Sequence, residues 1–203
     1  MPLSLVTAPT SEPLTLAQAT KQTETEGTTD HEPFLQDTVI PAARERCEGA
    51  TRRQLVGPAT WEWWLDGFPC ERVIELPKPP LVAVSSVKYY DTAEVLQTFA
   101  ASNYIVQAFA GPKCRRGRLG LKETASWPTD VAVQIGAVVI RFTCGYGDAA
   151  KVPPLLLQAM LMDVSTMFEF RENLLAGSVV EIPKGTADIY RSFKSHGTQW
   201  IEE

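Results

Sequence analysis

A pair of strand-like segments separated by three prolines constrains the fold of this chain more than any other feature. Residues 72–76 alternate in the manner of a half-buried strand, and residues 81–90 are rich in β-branched and aromatic side chains. Pro77, Pro79 and Pro80 lie between them and cannot donate backbone hydrogen bonds to a sheet. The sequence therefore predicts two strands joined by a proline corner. Because no acid, base, thiol or metal ligand is concentrated there, we interpret the region as a scaffold.

Further short strands are predicted on both sides of this pair. Residues 60–65 (TWEWWL), 95–99 and 103–109 have strand character, and residues 131–144 (VAVQIGAVVIRFTC) are the most strand-like run in the protein. Consecutive short strands separated by turns are typical of antiparallel sheets. We therefore expect one antiparallel sheet over about residues 60–144.

Two capping patterns predict where the first helices begin. Thr15 is followed three residues later by Gln18, which predicts a short helix over about residues 16–22. Thr29 and Glu32 repeat the pattern and predict a second helix start.

The second, third and final helices are predicted from apolar spacing and from prolines. Apolar residues recur at helical intervals over about residues 31–53, where Pro41 predicts a kink or break near residues 37–40. Residues 155–170 are apolar around much of a helical circumference, so this helix must be covered on several sides. A final short helix is expected over residues 183–193.

These signals together predict an α+β fold with a small helical bundle built from both ends of the chain. An antiparallel β-sheet is expected as an insertion between the second and third helices. Both termini are too polar to fold alone, so we expect extended arms there. The predicted division is an N-terminal arm (1–13), a bundle (14–57 and 148–194), a β insertion (58–147) and a C-terminal tail (195–203).

Composition excludes several classes of protein. An apolar fraction of 44% allows a substantial core, so a disordered chain is not expected. The net charge of −5 argues against a dedicated DNA-binding protein, which neutralises phosphates with excess Lys and Arg. No segment approaches the roughly 20 apolar residues needed to cross a bilayer. We expect a soluble protein made in a cytoplasm, with no membrane partner.

The sequence offers no convincing catalytic, cofactor or metal site. Its four cysteines are widely spaced and form no C-x-x-C pair, and only two histidines could join them as ligands. The glycine turn at residues 145–147 lacks the Lys-Ser/Thr of a P-loop. Asp163, Glu169 and Glu172 are spaced by six and three residues, so we expect a solvated or intersubunit face rather than a catalytic pair.

A cluster of basic residues is the strongest candidate for a binding site. Residues 110–120 (AGPKCRRGRLG) are predicted to form a loop tip, and the glycines allow its charges to approach a phosphate chain. An alternative interpretation is that a loop with this many charges is simply exposed to water and binds no partner. The four cations of this basic loop are Lys113, Arg115, Arg116 and Arg118.

Several short motifs follow one another in a characteristic order over residues 14–194. Each motif is weak alone, but their order and spacing together resemble the head-to-tail connector or neck adaptor proteins of long-tailed phages and gene transfer agents. After the capped first helix, the motifs are VIPAARERCEGATRRQL (39–55), IELPKPPLVAVSSVKYYD (74–91), NYIV (103–106), WP (127–128), VVIRFTCGYG (138–147), VPPLLLQAMLMDV (152–164), FEFREN (168–173) and IPKG (182–185).

The resemblance implies a non-enzymatic virion protein of the neck, assembled in the cytoplasm of a bacterial host. It implies a homo-oligomeric ring, usually of twelve copies, that binds the portal protein and extends the channel for double-stranded DNA. The ring would offer its other surface to the next neck or tail-completion protein. A C-terminal segment of the family commonly docks on the portal, which implies portal-binding roles for Tyr190, Arg191, Phe193, Lys194 and Trp200.

Two other functions remain open at this point. The first is a nucleic-acid-binding accessory protein that acts through the basic loop, residues 113–118. The second is a small hydrolase, for which the sequence shows no convergent set of polar groups.

Overall fold

The computed structural model describes residues 2–170 and 184–196. Their helices and most of their strands lie in separate segments of the chain, and the sheets are antiparallel, which confirms a mixed α+β fold. In chain order these elements are β1 (Leu3–Thr7), α1 (Leu16–Gln22), α2 (Glu32–Phe34), a π-helical turn (Leu35–Val39), α3 (Ile40–Thr51), β2 (Ala59–Leu65), β3 (Val73–Glu75), β4 (Leu81–Tyr90), β5 (Leu96–Thr98), β6 (Tyr104–Gln107), β7 (Arg118–Leu121), β8 (Val138–Cys144), α4 (Pro154–Glu169) and α5 (Lys184–Phe193).

The described residues form two hydrophobic clusters that follow the helix and strand segments. One cluster collects buried side chains from residues 14–56 and 152–193, and the other collects them from residues 63–144. The Trp61 indole donates a hydrogen bond to Gln54 Oε1 at 3.1 Å, which joins the strands to the chain after α3. The exact division of the chain at residues 57–58 and 147–148 remains a prediction.

The first capping box is confirmed, whereas the second is wrong. Thr15 Oγ1 accepts a hydrogen bond from Gln18 N at 3.2 Å, and Gln18 Oε1 accepts one from Thr15 N at 2.9 Å. At the second helix the N-cap is His31, which makes no side-chain cap bond. Thr29 contributes only its carbonyl oxygen, which accepts from Glu32 N at 3.2 Å.

The expected irregularity near Pro41 takes the form of a π-helical turn. The helical rod runs without interruption from α2 through Leu35–Val39 into α3. Pro41 has no N–H, so the carbonyl of Asp37 cannot receive its usual hydrogen bond. Just before the proline, Ile40 N donates to Leu35 O, five residues back. The wider turn carries the rod past the proline without a break.

The strands form two antiparallel sheets, so the prediction of one sheet is wrong. The larger sheet has the order β1-β2-β8-β4-β5, and the smaller has the order β3-β7-β6. The two predicted strands around the prolines are present, but they belong to different sheets. Because residues 77–80 include three prolines that cannot extend a ladder, the chain leaves the smaller sheet and enters the larger one.

The N-terminal arm is extended, but part of it belongs to the larger sheet. Strand β1 pairs antiparallel with β2, with Leu3 opposite Trp63 and Leu5 opposite Trp61. Leu3–Thr7 is therefore extended, as expected for the N-terminal arm, and it is held in that conformation as a strand of the larger sheet. The open edge of β2 supplies the backbone hydrogen bonds that an isolated extended segment lacks.

The most strand-like run in the sequence is only half strand. Strand β8 begins at Val138, and residues 131–137 form a loop with one isolated bridge. Gly136 has φ +69, and its N–H donates to Asp66 Oδ1 at 2.9 Å, which ends the extended conformation. As a result, Val133 and Ile135 are almost fully exposed.

Candidate functional site

A basic pocket of about 440 Å³ lies where the smaller sheet meets the ends of α3 and α5. Four segments build it: the residues after α3, the end of β3, the loop that leads into β7 with the first residue of that strand, and residues 194–196 after α5. Ser195 N donates to Thr51 O at 2.8 Å, which holds the end of α5 against the end of α3. The lining residues are Arg53, Glu75, Lys113, Cys114, Arg115, Arg116, Arg118, Lys194, Ser195 and His196.

Gly117 holds the basic loop close to the proline corner. Its carbonyl accepts a hydrogen bond from Leu76 N at 2.8 Å. A Cβ placed on Gly117 would overlap the side chain of Leu81, so only glycine allows this approach.

We expect Gly117→Ala to lower the free energy of unfolding by about 1–3 kcal/mol, because the loop must move away from Leu81. Urea denaturation of the full chain measures this change. The same substitution at Gly67, where an added Cβ would have nothing within 4 Å, should change stability by no more than about 0.5 kcal/mol. Equal losses at both positions would contradict the close packing of the loop.

Arg53 is the buried centre that connects the pocket segments. Its exposed fraction is 3%, and its Nε donates to the carbonyl of Phe193 at 2.7 Å. Its Nη1 lies 3.4 Å from the Tyr146 hydroxyl and 3.5 Å from Cys114 Sγ. The Tyr146 hydroxyl in turn donates to Pro112 O at 2.7 Å. Arg53 therefore positions the loop and the end of α5, while its charge faces the same pocket.

Burial controls the ionisation of the groups that surround Arg53. It raises the pKa of the Cys114 thiol, although the nearby Arg53 acts in the opposite direction. Because thiolate formation is disfavoured, Cys114 has the character of a structural residue rather than a nucleophile. Burial also raises the pKa of Tyr146 to about 12.

The raised pKa of Tyr146 predicts a loss of stability in alkali. Above pH 10 the unfolded phenol ionises while the folded one keeps its proton, so the free energy of unfolding falls between about pH 10 and 12. We expect Tyr146→Phe to remove up to about 1.4 kcal/mol per pH unit from that slope. Chemical denaturation across this pH range measures it. Identical slopes in the variant and the wild type would show that the phenol ionises equally in both states.

The four cations of the basic loop have different environments, which the sequence alone did not separate. Lys113 and Arg115 are exposed, and Lys113 Nζ lies 4.8 Å from the centre of the Phe193 ring. Arg118 belongs to β7 rather than to a loop tip, and its Nη2 pairs with Glu75 Oε1 at 2.9 Å. Arg116 is buried, with an exposed fraction of 5%. The loop therefore does not present all four charges to one outside surface.

The residues assigned to portal binding divide into buried and exposed groups. Tyr190 and Phe193 are buried in the helical cluster, with exposed fractions of 3% and 4%. They stabilise α5, so the fold does not offer them to another protein. Arg191 and Lys194 are exposed. Trp200 lies outside the described residues.

Asp163 is a buried residue that sequence reasoning placed on a solvated or intersubunit face. Its exposed fraction is 1%, and its Oδ2 accepts a hydrogen bond from the Tyr190 hydroxyl at 2.7 Å. Arg46 Nη1 lies 3.5 Å from Oδ1. Burial and this hydrogen bond raise the pKa of Tyr190 above its ordinary value. A signal was present in the sequence, because Asp163 follows Met160 and Ala159 on the apolar side of the predicted helix.

The smaller sheet has one buried face and one open face, which is apolar at one end and carries the Arg118–Glu75 ion pair at the other. Ile74 and Leu119, paired across β3 and β7, are buried. On the opposite face, Val73 and Ile105 flank Gly120 and are 45% and 59% exposed. Exposed apolar surface of this kind is typical of protein interfaces.

Within residues 2–170 and 184–196, no group of three or more His, Cys, Asp or Glu side chains has an arrangement that could hold a metal ion. No helix in the same part of the chain is long and apolar enough to cross a membrane.

The fold is that of protein chains built into gene transfer agent (GTA) particles. One chain from the neck of an empty GTA particle, computed with C6 symmetry, has a TM-score of 0.76 and 23% identity. A chain from the virion of a native GTA particle has a TM-score of 0.74 and 21% identity. A chain from the neck of a native GTA particle, computed with C12 symmetry, has a TM-score of 0.70 and 21% identity.

Each of these three comparisons covers 99% of both chains. The likeness therefore extends over the helices and both sheets, and the resemblance indicated by the motif order is confirmed at the level of the fold. No protein-family model and no curated protein matches the sequence.

Proposed function

We propose that this protein is a structural component of the neck of a tailed phage or gene transfer agent particle. In this role it forms a ring between the portal and the next neck or tail-completion protein, and it extends the channel through which DNA passes. One observation carries the proposal: the fold matches a GTA neck chain over 99% of both chains with a TM-score of 0.76.

The exposed apolar residues support a subunit that completes its packing by association. Val73 and Ile105 lie on the open face of the smaller sheet, and Val133 and Ile135 lie on the loop that leads into β8. A monomer gains nothing from exposing such side chains, whereas a ring contact removes them from water.

We propose a ring of twelve copies. The GTA necks that contain chains of this fold were computed with C6 and C12 symmetry. Closed rings of identical subunits use heterologous contacts, in which one surface of a copy meets a different surface of the next.

The proposed portal contact is narrower than the set of residues named from the resemblance. Arg191 and Lys194 are exposed on the last turn of α5 and directly after it, so they are available to a partner. Arg191 pairs with Asp188 at 2.9 Å in an exposed ion pair, which a portal carboxylate can replace at little cost.

Cross-linking mass spectrometry on purified tailed particles from the source of this protein tests the proposal. We expect links between Lys194 and a portal subunit, together with links between copies of the chain. Absence of the chain from well-purified particles would overturn the neck assignment.

The nucleic-acid-binding alternative has less support from the geometry. Only Lys113 and Arg115 of the basic loop are both exposed and without an ion pair among the described residues. If the isolated chain binds duplex DNA with an affinity that falls steeply with salt, this alternative replaces the neck role.

A further inference from the structure

Arg116 is one of the residues that line the basic pocket, and two of its guanidinium nitrogens have no hydrogen-bond acceptor among the described residues. Both Nε and Nη1 are buried and unpaired among the described residues, and the residue has an exposed fraction of 5%. Burial lowers the pKa of Arg116, and the nearby Glu75, which Arg118 already engages, only partly opposes that effect. A buried cation in this state is costly unless an anion completes the site.

The shape of the pocket selects the kind of anion. A cavity of about 440 Å³ with a buried guanidinium admits one projecting side chain or a loop tip. The phosphates of duplex DNA lie on a broad, stiff cylinder, which meets exposed cations more readily than buried ones. The site therefore favours a protein carboxylate, which forms a short, charge-assisted hydrogen bond with an arginine nitrogen.

The chain carries exposed carboxylates of this kind on the connection between α1 and α2. We call residues 23–30 the acidic turn. Glu24, Glu26 and Asp30 are exposed there, and none of them has an ion pair among the residues that the structure describes. The turn lies close to the end of α4, because Gln22 Nε2 donates to Ser165 Oγ at 3.0 Å.

The acidic turn and the basic pocket lie at opposite ends of one helical rod. The rod begins at Glu32, directly after the acidic turn, and ends at Thr51, two residues before Arg53 of the pocket. At 1.5 Å per residue its length is about 30 Å. The two charged ends therefore cannot meet within one molecule.

We propose that the acidic turn of one copy inserts a carboxylate into the basic pocket of the next copy, where it binds Arg116. This inference rests on the proposed ring and names one of its contacts. Two different surfaces at opposite ends of the subunit form a heterologous contact, which closes into a ring when the rotation between copies allows it.

Charge complementarity favours a second copy as the occupant. Six of the 19 Lys and Arg residues line the pocket, although the whole chain has a net charge of −5. The surface outside the pocket is therefore strongly acidic, so electrostatic attraction between neighbouring copies is strongest where such a surface meets the pocket.

Zero-length carbodiimide cross-linking of purified particles tests this contact. We expect Lys113 or Lys194 to be joined to Glu24, Glu26 or Asp30, and the length of the rod requires these links to be between copies. The same links in particles that have released their DNA distinguish a protein carboxylate from a DNA phosphate as the occupant.

Two outcomes of this experiment distinguish a failure of the proposed contact from a failure of the neck assignment. Links between copies that never include the acidic turn would overturn the contact and leave the proposed ring intact. Absence of the chain from the particles would instead remove the proposed function itself.

Matched variants identify the role of Arg116. We expect Arg116→Gln to reduce the yield of these links at least tenfold, whereas Arg141→Gln, which removes the same charge from the larger sheet, leaves the yield unchanged. Unchanged links in Arg116→Gln particles would overturn the assignment of the anion site.

A charge exchange at exposed positions avoids any effect on folding. Arg115→Glu and Glu26→Arg should each lower the yield of assembled particles several-fold, and their combination should restore it. Failure of the double variant to recover, or Arg116-dependent binding of a short DNA duplex without any carboxylate links, would contradict the proposal.

Discussion

Replacing Asp163 with alanine should lower the free energy of unfolding by about 3–5 kcal/mol, because it removes a buried carboxylate that accepts a hydrogen bond and also pairs with a partly exposed arginine. Asp163 on α4 accepts the hydroxyl of Tyr190 on α5 at 2.7 Å and lies 3.5 Å from Arg46 on α3. The substitution leaves the phenol without its acceptor and Arg46 without its counter-charge. Thermal or urea unfolding of the full chain measures the loss.

Two further variants separate the buried network from general effects of charge. Tyr190→Phe keeps the ring and removes only the hydroxyl, so it should cost less, about 1–3 kcal/mol. Asp188→Ala breaks an exposed ion pair with Arg191 on the same helix and should cost no more than about 1 kcal/mol. If Asp163→Ala is no worse than Asp188→Ala, the three helices are not held together by this network.

Loss of the Asp163 contact also has a consequence for the basic pocket. Helix α5 carries Lys194 and Ser195 to the pocket wall, and Tyr190 fixes the helix against α4. We therefore expect Asp163→Ala particles to show weaker links at Lys194 than at Lys113, because the loop that carries Lys113 is held separately by Gly117.

Replacing Phe142 with alanine should lower the free energy of unfolding by about 3–5 kcal/mol. Phe142 lies on β8, the central strand of the larger sheet, and has no exposed surface. It is opposite Trp61 on β2 and Val84 on β4. Removing the ring leaves a cavity in the core packed against the sheet, and β8 cannot move to fill it because it is hydrogen-bonded to strands on both sides.

The control for Phe142→Ala is a truncation of an exposed side chain in the neighbouring strand. Val82 on β4 is 54% exposed, so Val82→Ala should change stability by no more than about 0.5 kcal/mol. A loss in Phe142→Ala as small as that of the control would contradict the packing of β8 at the centre of the core.

Local sequence signals predicted most of the elements of the fold. The Thr15 capping box, the strand at residues 60–65 and the apolar helix beginning after Pro153 are all present near their expected bounds. The capping box depends on contacts between residues close in sequence. The strand and the helix depend on a spacing of apolar residues that arises whenever one face of an element is buried. The Thr29 pattern did not predict the cap of the second helix, because that helix begins at Glu32 and its N-cap is His31.

Strand partners were less predictable than strand positions. The alternation at residues 72–76 indicated a strand, but nothing local to it shows that β7 is its partner in a separate sheet. The apolar run 131–144 has uniform β character, yet a hydrogen bond between Gly136 and the distant Asp66 ends the extended conformation. Strand pairing and hydrogen bonds of this kind join residues far apart in the chain. The spacing of apolar residues within one segment does not predict such long-range partners.

In the candidate site, too, the sequence predicted which residues are charged but not where each of them lies in the fold. Four cations within six residues indicated a basic surface, and all four do line one pocket. The sequence did not indicate that Glu75 would pair with Arg118, or that Arg116 would be buried and unpaired. It also gave no sign that Arg53 and Lys194, which lie far away in the chain, would complete the pocket.

By itself, the sequence determined the local conformations of this protein: where its helices begin, where its strands run, and which residues carry the charge. Such properties follow from propensities, prolines and caps that act over a few residues. Only the tertiary structure decided that β1 joins β2, that Asp163 is buried between three helices, and that basic and acidic groups occupy opposite ends of a rod. These outcomes depend on long-range packing, because burial and pairing are set by the whole fold.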